Sequence, residues 1–277
     1  MNGFRFWTKA GAPASKRPSH QLSRHYLKKF AEAVNGSFRN VTTEDVRKYL
    51  ISYGDREGVS KVTVDNVRRV ISSLFSWLEA EDYILKSPVR RIKKIRASRG
   101  IKPVISDEEL EKLRDGCSNL RDLAMVDLLT STGMRVGELV RLNRADIDME
   151  GRQCIVKGKG DKERFVYFDA RTKVHLGAYL GLRTDGDPAL FVSLDGRCRR
   201  LNIGGVEQRL REMGRKLGIK RVHPHKFRRT MATRAIDKGM PIEQVQVLLG
   251  HSKIDTTLCY AMVNQGNVKQ SHRRYIA

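Results

Sequence analysis

The sequence predicts a mainly α-helical fold with a small antiparallel β-sheet (α+β), shared between a helical N-terminal domain and a larger C-terminal one. Three observations carry this expectation. Apolar residues recur at helical spacing behind capping signals in both halves of the chain. Two short strand-like runs flank a glycine-containing tetrapeptide beginning at Gly158. A basic run without a single acid separates the two periodic regions. At 277 residues the chain also exceeds the length at which one compact core is the default.

Taken in order, residues 1–18 carry Gly3, Gly11, Pro13 and Pro18 without sustained periodicity, and read as an irregular arm. Residues 19–89 read as a helical domain. Thr42 followed by Asp45 is an acidic version of the capping pattern and predicts a helix start. A second helix begins after Ser60 and sets Val64, Val67, Ile71, Leu74, Phe75 and Leu78 on one stripe, which is the pattern of a face buried in a core.

Residues 90–104 read as a linker, with Arg90, Arg91, Lys93, Lys94, Arg96, Arg99 and Lys102 uninterrupted by any acid. Like charges in a block repel and extend the chain, and a strip of cations attracts phosphate. The run ends at Pro103. Ser106 with Glu109 forms a capping box that opens the larger domain, 105–277. Residues 121–131 are apolar with a helical period. Runs at 153–157 and 163–168 around Gly158-Lys159-Gly160-Asp161 predict a hairpin, and residues 190–192 a further short strand. Beyond Asn202 helices dominate. Pro241 opens one with Ile242, Val245, Leu248 and Leu249 on a face, and Gly250 ends it.

Composition narrows the function. Lys and Arg number 54 against 31 Asp and Glu, a net charge of +23 and a pI near 10.2, and a field that positive draws polyanions such as nucleic acid. Cys117, Cys154, Cys198 and Cys259 are too far apart for a zinc site or a disulfide framework, which points to a reducing compartment, the cytoplasm. No apolar run reaches the roughly 20 residues needed to span a bilayer, and the N-terminus lacks the apolar core of a secretory signal. No Gly-x4-Gly-Lys-Ser/Thr loop supports nucleotide chemistry. Asp146 and Asp148 are neighbours, but no third acid stands with them as a two-metal site would require. The expectation is therefore no cofactor and no metal.

What stands out instead is a set of basic groups in tight local contexts. Arg135 lies just past a glycine break at the start of a helix, where free N–H groups favour an anion. His225 and Arg228 are three apart on the next helix face. His251 follows a Leu-Gly pair, and Tyr260 comes nine residues later. Singly, each has a bland explanation: a cap, a core tyrosine, a solvated face.

Together, the segments TGMRVGEL, GKGDKER, HPHKFRR, LGHS and TTLCYAMV resemble the signature boxes of the tyrosine recombinases, the family of phage integrases and Xer-type resolvases. The resemblance covers about 105–265, with five boxes in order. It implies a helical core-binding domain that binds DNA, followed by a tyrosine-recombinase catalytic domain. It further implies that Arg135 and Arg228 are catalytic arginines, Lys159 the hairpin lysine, His225 and His251 the two histidines, and Tyr260 the nucleophile. The partners implied are double-stranded DNA and further copies of the chain in a tetramer, with a second recombinase or accessory protein as a further option, and with the segment after Tyr260 docking on a neighbouring protomer. The linker cations, together with Lys162, are the expected DNA contacts.

The residue types suit phosphoryl transfer. Attack on a phosphodiester adds charge to its non-bridging oxygens, and guanidinium forks answer it in a way lysine cannot. His251 can donate to the same oxygens. A tyrosine hydroxyl has an unperturbed pKa of about 10 and needs a proton acceptor; His225 is the candidate. The leaving 5′ oxygen needs a proton, for which Lys159 is the candidate and Lys162 the competitor. Three other readings share parts of the pattern: a type IB topoisomerase-like enzyme, a DNA-binding protein without catalysis, and a metal nuclease.

Overall fold

The computed structural model describes residues 18–35, 38–96, 103–158 and 163–261. The chain divides into two compact units, Met1–Gly100 and Ile101–Ala277.

The first unit is built on three helices, α1 (Pro18–Ala33), α2 (Thr43–Gly54) and α3 (Lys61–Ala80). Both predicted starts form. Thr42 and Asp45 make a reciprocal capping box, and the Ser60 hydroxyl accepts the Thr63 N–H at 3.1 Å. All six residues of the predicted stripe on α3 are buried, packed with Phe30, Phe38 and Tyr49 around Phe75. Helix α1 was not specifically expected. It buries Tyr26, Leu27 and Phe30, and Pro18 opens it rather than closing the preceding arm, since a first-turn proline gives up an N–H that has no helical partner.

The basic stretch is less free than a charge block suggests. Ile92 and Ile95 pack against the core of the first unit, and the Ile95 N–H donates to the buried Asp65 at 3.0 Å. Arg90, Arg91, Lys93, Lys94 and Arg96, before, between and after them, remain exposed. Apolar anchors thus face inward and cations outward. Arg99 and Lys102 lie outside the described residues.

The second unit begins with α4 (Asp107–Asp115), capped reciprocally by Ser106 and Glu109, then α5 (Leu120–Thr132) and the single turn α6 (Val136–Leu139). An antiparallel sheet follows in the order β1 (Ile147–Asp148), β2 (Gln153–Lys157), β3 (Glu163–Tyr167), with Cys154 opposite Val166 and Lys157 opposite Glu163. The predicted hairpin is therefore present, while residues 190–192 make only an isolated bridge, Val192 to Arg200. Asp146 caps the Asn143 N–H at 2.7 Å and Asp148 accepts the Gly151 N–H at 2.8 Å, so both acids serve the backbone.

Helices α7 (Ala170–Gly181), α8 (Ile203–Lys216), α9 (Pro224–Asp237), α10 (Ile242–Leu249) and α11 (Asp255–Ala261) complete the unit. Helix α9 contacts α5, α10 and α11, with Phe227 in the main core and Ala232 in a smaller cluster with Val245 and Leu249. Helices α5 and α10 both end on left-handed glycines, Gly133 (φ 59°) and Gly250 (φ 60°), a conformation costly for any residue with a Cβ. These two breaks are where the site is built. Among the described residues no helix is long and apolar enough to cross a membrane.

Candidate active site

Three guanidiniums converge on the C-terminal end of α10. Arg164, on β3, donates from Nε to the Leu248 carbonyl at 2.8 Å. Arg228, on α9, donates to the carbonyls of Leu249 and, at 2.9 Å, Gly133. Arg135 donates to the Gly250 carbonyl at 3.1 Å. Three consecutive carbonyls, which have no helical donor at a C-terminus, each receive an arginine from a different element.

One carboxylate ties the cluster together. Glu138 is 4% exposed and accepts both terminal nitrogens of Arg164, at 2.8 and 2.7 Å, together with Nη1 and the backbone N–H of Arg135, at 2.9 and 2.8 Å. Burial alone would raise its pKa, but the Arg164 hydrogen bonds, the Arg135 N–H and the Arg164 charge outweigh it and hold the carboxyl at about 2. This corrects one expectation. The N-terminus of α6 is not an open anion site, because the turn is four residues long and Glu138 already caps its leading N–H.

The remaining balance is positive. Arg228 is 2% exposed; burial first and then the Arg135 charge press it down to about 10, which still leaves it protonated at neutral pH. His251 is half-buried, and burial followed by the charges of Arg228, Arg135 and Arg164 lowers it to about 4. Burial and the neighbouring guanidiniums together disfavour a further cation here.

His251 follows directly on the Gly250 break, and its Nδ1 lies 2.9 Å from the hydroxyl of the fully buried Thr257 on α11. Three residues further along that helix stands Tyr260, whose ring centroid is 6.2 Å from that of His251 at an interplanar angle of 26°. Tyr260 also packs on the Ala232, Val245 and Leu249 cluster. Arg229, next to Arg228, has a buried Nε with no hydrogen-bond partner among the described residues, and burial lowers its pKa while the Tyr260 charge opposes that.

Of the residues expected from sequence, Arg135, Arg228, His251 and Tyr260 come together here. His225 is exposed at the start of α9, close enough for its charge to help lower His251. Lys159 and Lys162 lie outside the described residues, between the ends of β2 and β3. Sequence reasoning missed three participants. Glu138 stood three residues after Arg135, the spacing of a capping box, and Arg164 closed the GKGDKER segment. Thr257 stood in the TTLCYAMV segment, three residues before Tyr260.

Residues 103–267 match the phage integrase family. A tyrosine recombinase XerC from Herpetosiphon aurantiacus is 31% identical over 245 residues, spanning 84% of this chain and 79% of the relative. The crystal structure of XerA recombinase aligns with a TM-score of 0.57 at 26% identity, over 98% of this chain and 96% of that one. A Tn1549 transposon integrase in complex with a circular intermediate DNA aligns with a TM-score of 0.83 over 100% of both chains; at 18% identity that likeness is one of fold.

Proposed function

The chain belongs to the phage integrase family as a site-specific tyrosine recombinase, and on that premise we propose that it cuts DNA with Tyr260, holds the strand as a 3′-phosphotyrosine and rejoins it to a new partner. The observation that carries this reading is the arginine cluster itself. Arg135 and Arg164 share the carboxylate of Glu138, Arg228 spans the Gly133 and Leu249 carbonyls beside them, and the three stand next to a histidine–tyrosine pair. A DNA phosphate supplies the negative charge such a cluster lacks.

In the proposed step the Tyr260 oxygen attacks phosphorus, a phosphotyrosine bond forms and the bond to the 5′ oxygen breaks. Arg135 and Arg228 bear the charge that develops on the non-bridging oxygens, an effect worth about 10²–10³ in rate for each well-placed donor. His251 is neutral at pH 7 by its lowered pKa of about 4. With the Thr257 hydroxyl donating to Nδ1, its Nε2–H is left to donate to the phosphate. His225 is the proposed acceptor of the phenol proton and Lys159 the donor to the 5′ oxygen, with Lys162 its competitor. Storing the phosphodiester energy in a covalent bond lets a 5′-hydroxyl reseal the strand without nucleotide or metal.

For assembly we propose a tetramer acting on a pair of DNA sites, as an Xer-like or mobile-element recombinase. Residues 19–89 are its core-binding domain, 90–104 a phosphate-binding connection and 105–277 the catalytic domain. Five exposed cations in the described part of that connection, Arg90, Arg91, Lys93, Lys94 and Arg96, support the assignment. We place the protein in the cytoplasm, in keeping with four free cysteines.

The test is covalent capture. A nicked duplex, chosen by selection from a random pool for tight binding, is incubated with the protein in EDTA and resolved on a denaturing gel. The proposal expects an adduct from the native chain and none from Tyr260→Phe; an adduct undiminished in the variant, or one that requires added Mg²⁺, overturns it.

A further inference from the structure

The arginine cluster contains a third guanidinium that the proposed chemistry does not use, and its surroundings differ from those of the other two. Arg164 has a side chain only 11% exposed, against 39% for Arg135. Three of its nitrogens are committed to protein acceptors: Nη1 and Nη2 to the two oxygens of Glu138, and Nε to the Leu248 carbonyl. Its stem lies flat on the Gly250 turn, where an added Cβ would sit 3.0 Å from Cδ and 3.2 Å from Nε and Nη1. Gly250 is thus required by its left-handed backbone and by the arginine above it.

We propose that Arg164 is a positioning residue that fixes the Gly250 turn and the Glu138 carboxylate together, and through them the geometry of His251 and Arg135. This deepens the reading given above and rests on it. Leu248 is three residues before His251, so a donor clamped to its carbonyl sets where the chain leaves α10. Glu138 has its oxygens shared between Arg164 and Arg135, so the direction of the Arg135 fork follows that of Arg164. Arg164 is also the second residue of β3, two residues after Lys162 in the sequence. A lysine can keep the charge but cannot hold both carboxylate oxygens and a carbonyl at once.

The experiment compares the native chain with Arg164→Lys on the captured duplex. It measures non-covalent binding in a Tyr260→Phe background, the single-turnover rate of adduct formation, and the ring titration of His251. Each variant is assayed well below its own melting temperature. The expected result is binding within about twofold of native and a cleavage rate lower by about 100-fold, the loss typical of one misplaced donor. His251 keeps a depressed pKa in the lysine variant, because the charge is retained, and rises toward the ordinary value in Arg164→Met. A lysine variant that cleaves at the native rate overturns the proposal, as does one whose loss of rate merely tracks a loss of binding. Where the lysine variant does not fold, Glu138→Gln provides the reading, since it keeps the partner's shape and removes its charge: retained binding with slowed cleavage supports the proposal, and unchanged cleavage overturns it. Failure here leaves the Tyr260→Phe outcome untouched, so the two readings fall separately.

Discussion

Arg228 donates to the carbonyl of Gly133 at 2.9 Å, and this bond ties one arginine of the cluster to the turn that presents another, Arg135. Its second bond, to Leu249, reaches the turn that presents His251. A single buried guanidinium therefore braces both breaks on which the site is built. Arg228→Lys retains charge but cannot span two carbonyls and still face a phosphate. Adduct formation is expected to fall by about 10²–10³, with duplex binding changed far less. Equal losses in binding and cleavage would contradict this assignment.

His251 gives the site a pH signature with a definite sign. Its folded pKa of about 4 lies below the ordinary value of 6.5. Between those values the unfolded chain binds a proton that the folded chain does not, so this residue's contribution is full above 6.5 and is lost as pH falls toward 4. The urea midpoint of the native chain is expected to drop across that window more than that of His251→Gln. A bound phosphate offsets the arginines, so the ring titrates at higher pH in a complex of Tyr260→Phe with DNA than in the free protein, as read by NMR.

Thr257 is fully buried and bonded to the Nδ1 of that ring at 2.9 Å. Thr257→Val removes the hydroxyl at similar volume. A neutral hydrogen bond contributes about 0.5–1.5 kcal/mol, so cleavage is expected to slow by roughly two- to tenfold, with little change in the salt dependence of binding. Single-turnover rates on the captured duplex check this.

Binding itself is expected to be strongly salt-dependent, and the exposed cations at 90–96 to carry part of it. Each phosphate contact contributes about −0.9 to the slope of log affinity against log salt. Arg91→Ala and Lys94→Ala should each shallow that slope by up to this amount while leaving the rate of adduct formation at saturating protein unchanged. Ile95→Ala, by contrast, removes an anchor on the core of the first unit and is expected to lower its melting temperature.

What was legible in the sequence was largely local. The caps at Thr42, Ser60 and Ser106 form because each is a contact three residues long, and the hairpin register follows from the paired runs at 153–157 and 163–167. Arg135, Arg228, His251 and Tyr260 were readable because their short segments resemble a family's boxes. The rest depended on contacts distant in sequence. Glu138 was legible as a cap but not as the shared partner of Arg164, 26 residues away. The burial of Ile92 and Ile95 was hidden by the charges between them. Helix α1 lacked a capping signal, and residues 190–192 had strand-forming side chains but no partner strand beyond one bridge.

The central claim is that Tyr260 becomes covalently joined to the 3′ side of the cut, and identifying that bond is its most direct test. The adduct is digested with protease and nuclease, and the nucleotide-bearing peptide is sequenced by mass spectrometry. The account predicts a peptide modified at Tyr260 through a 3′ phosphate, with a free 5′-hydroxyl on the released strand. Attachment at another residue, a 5′-linked phosphate, or cut DNA with no peptide attached would contradict it.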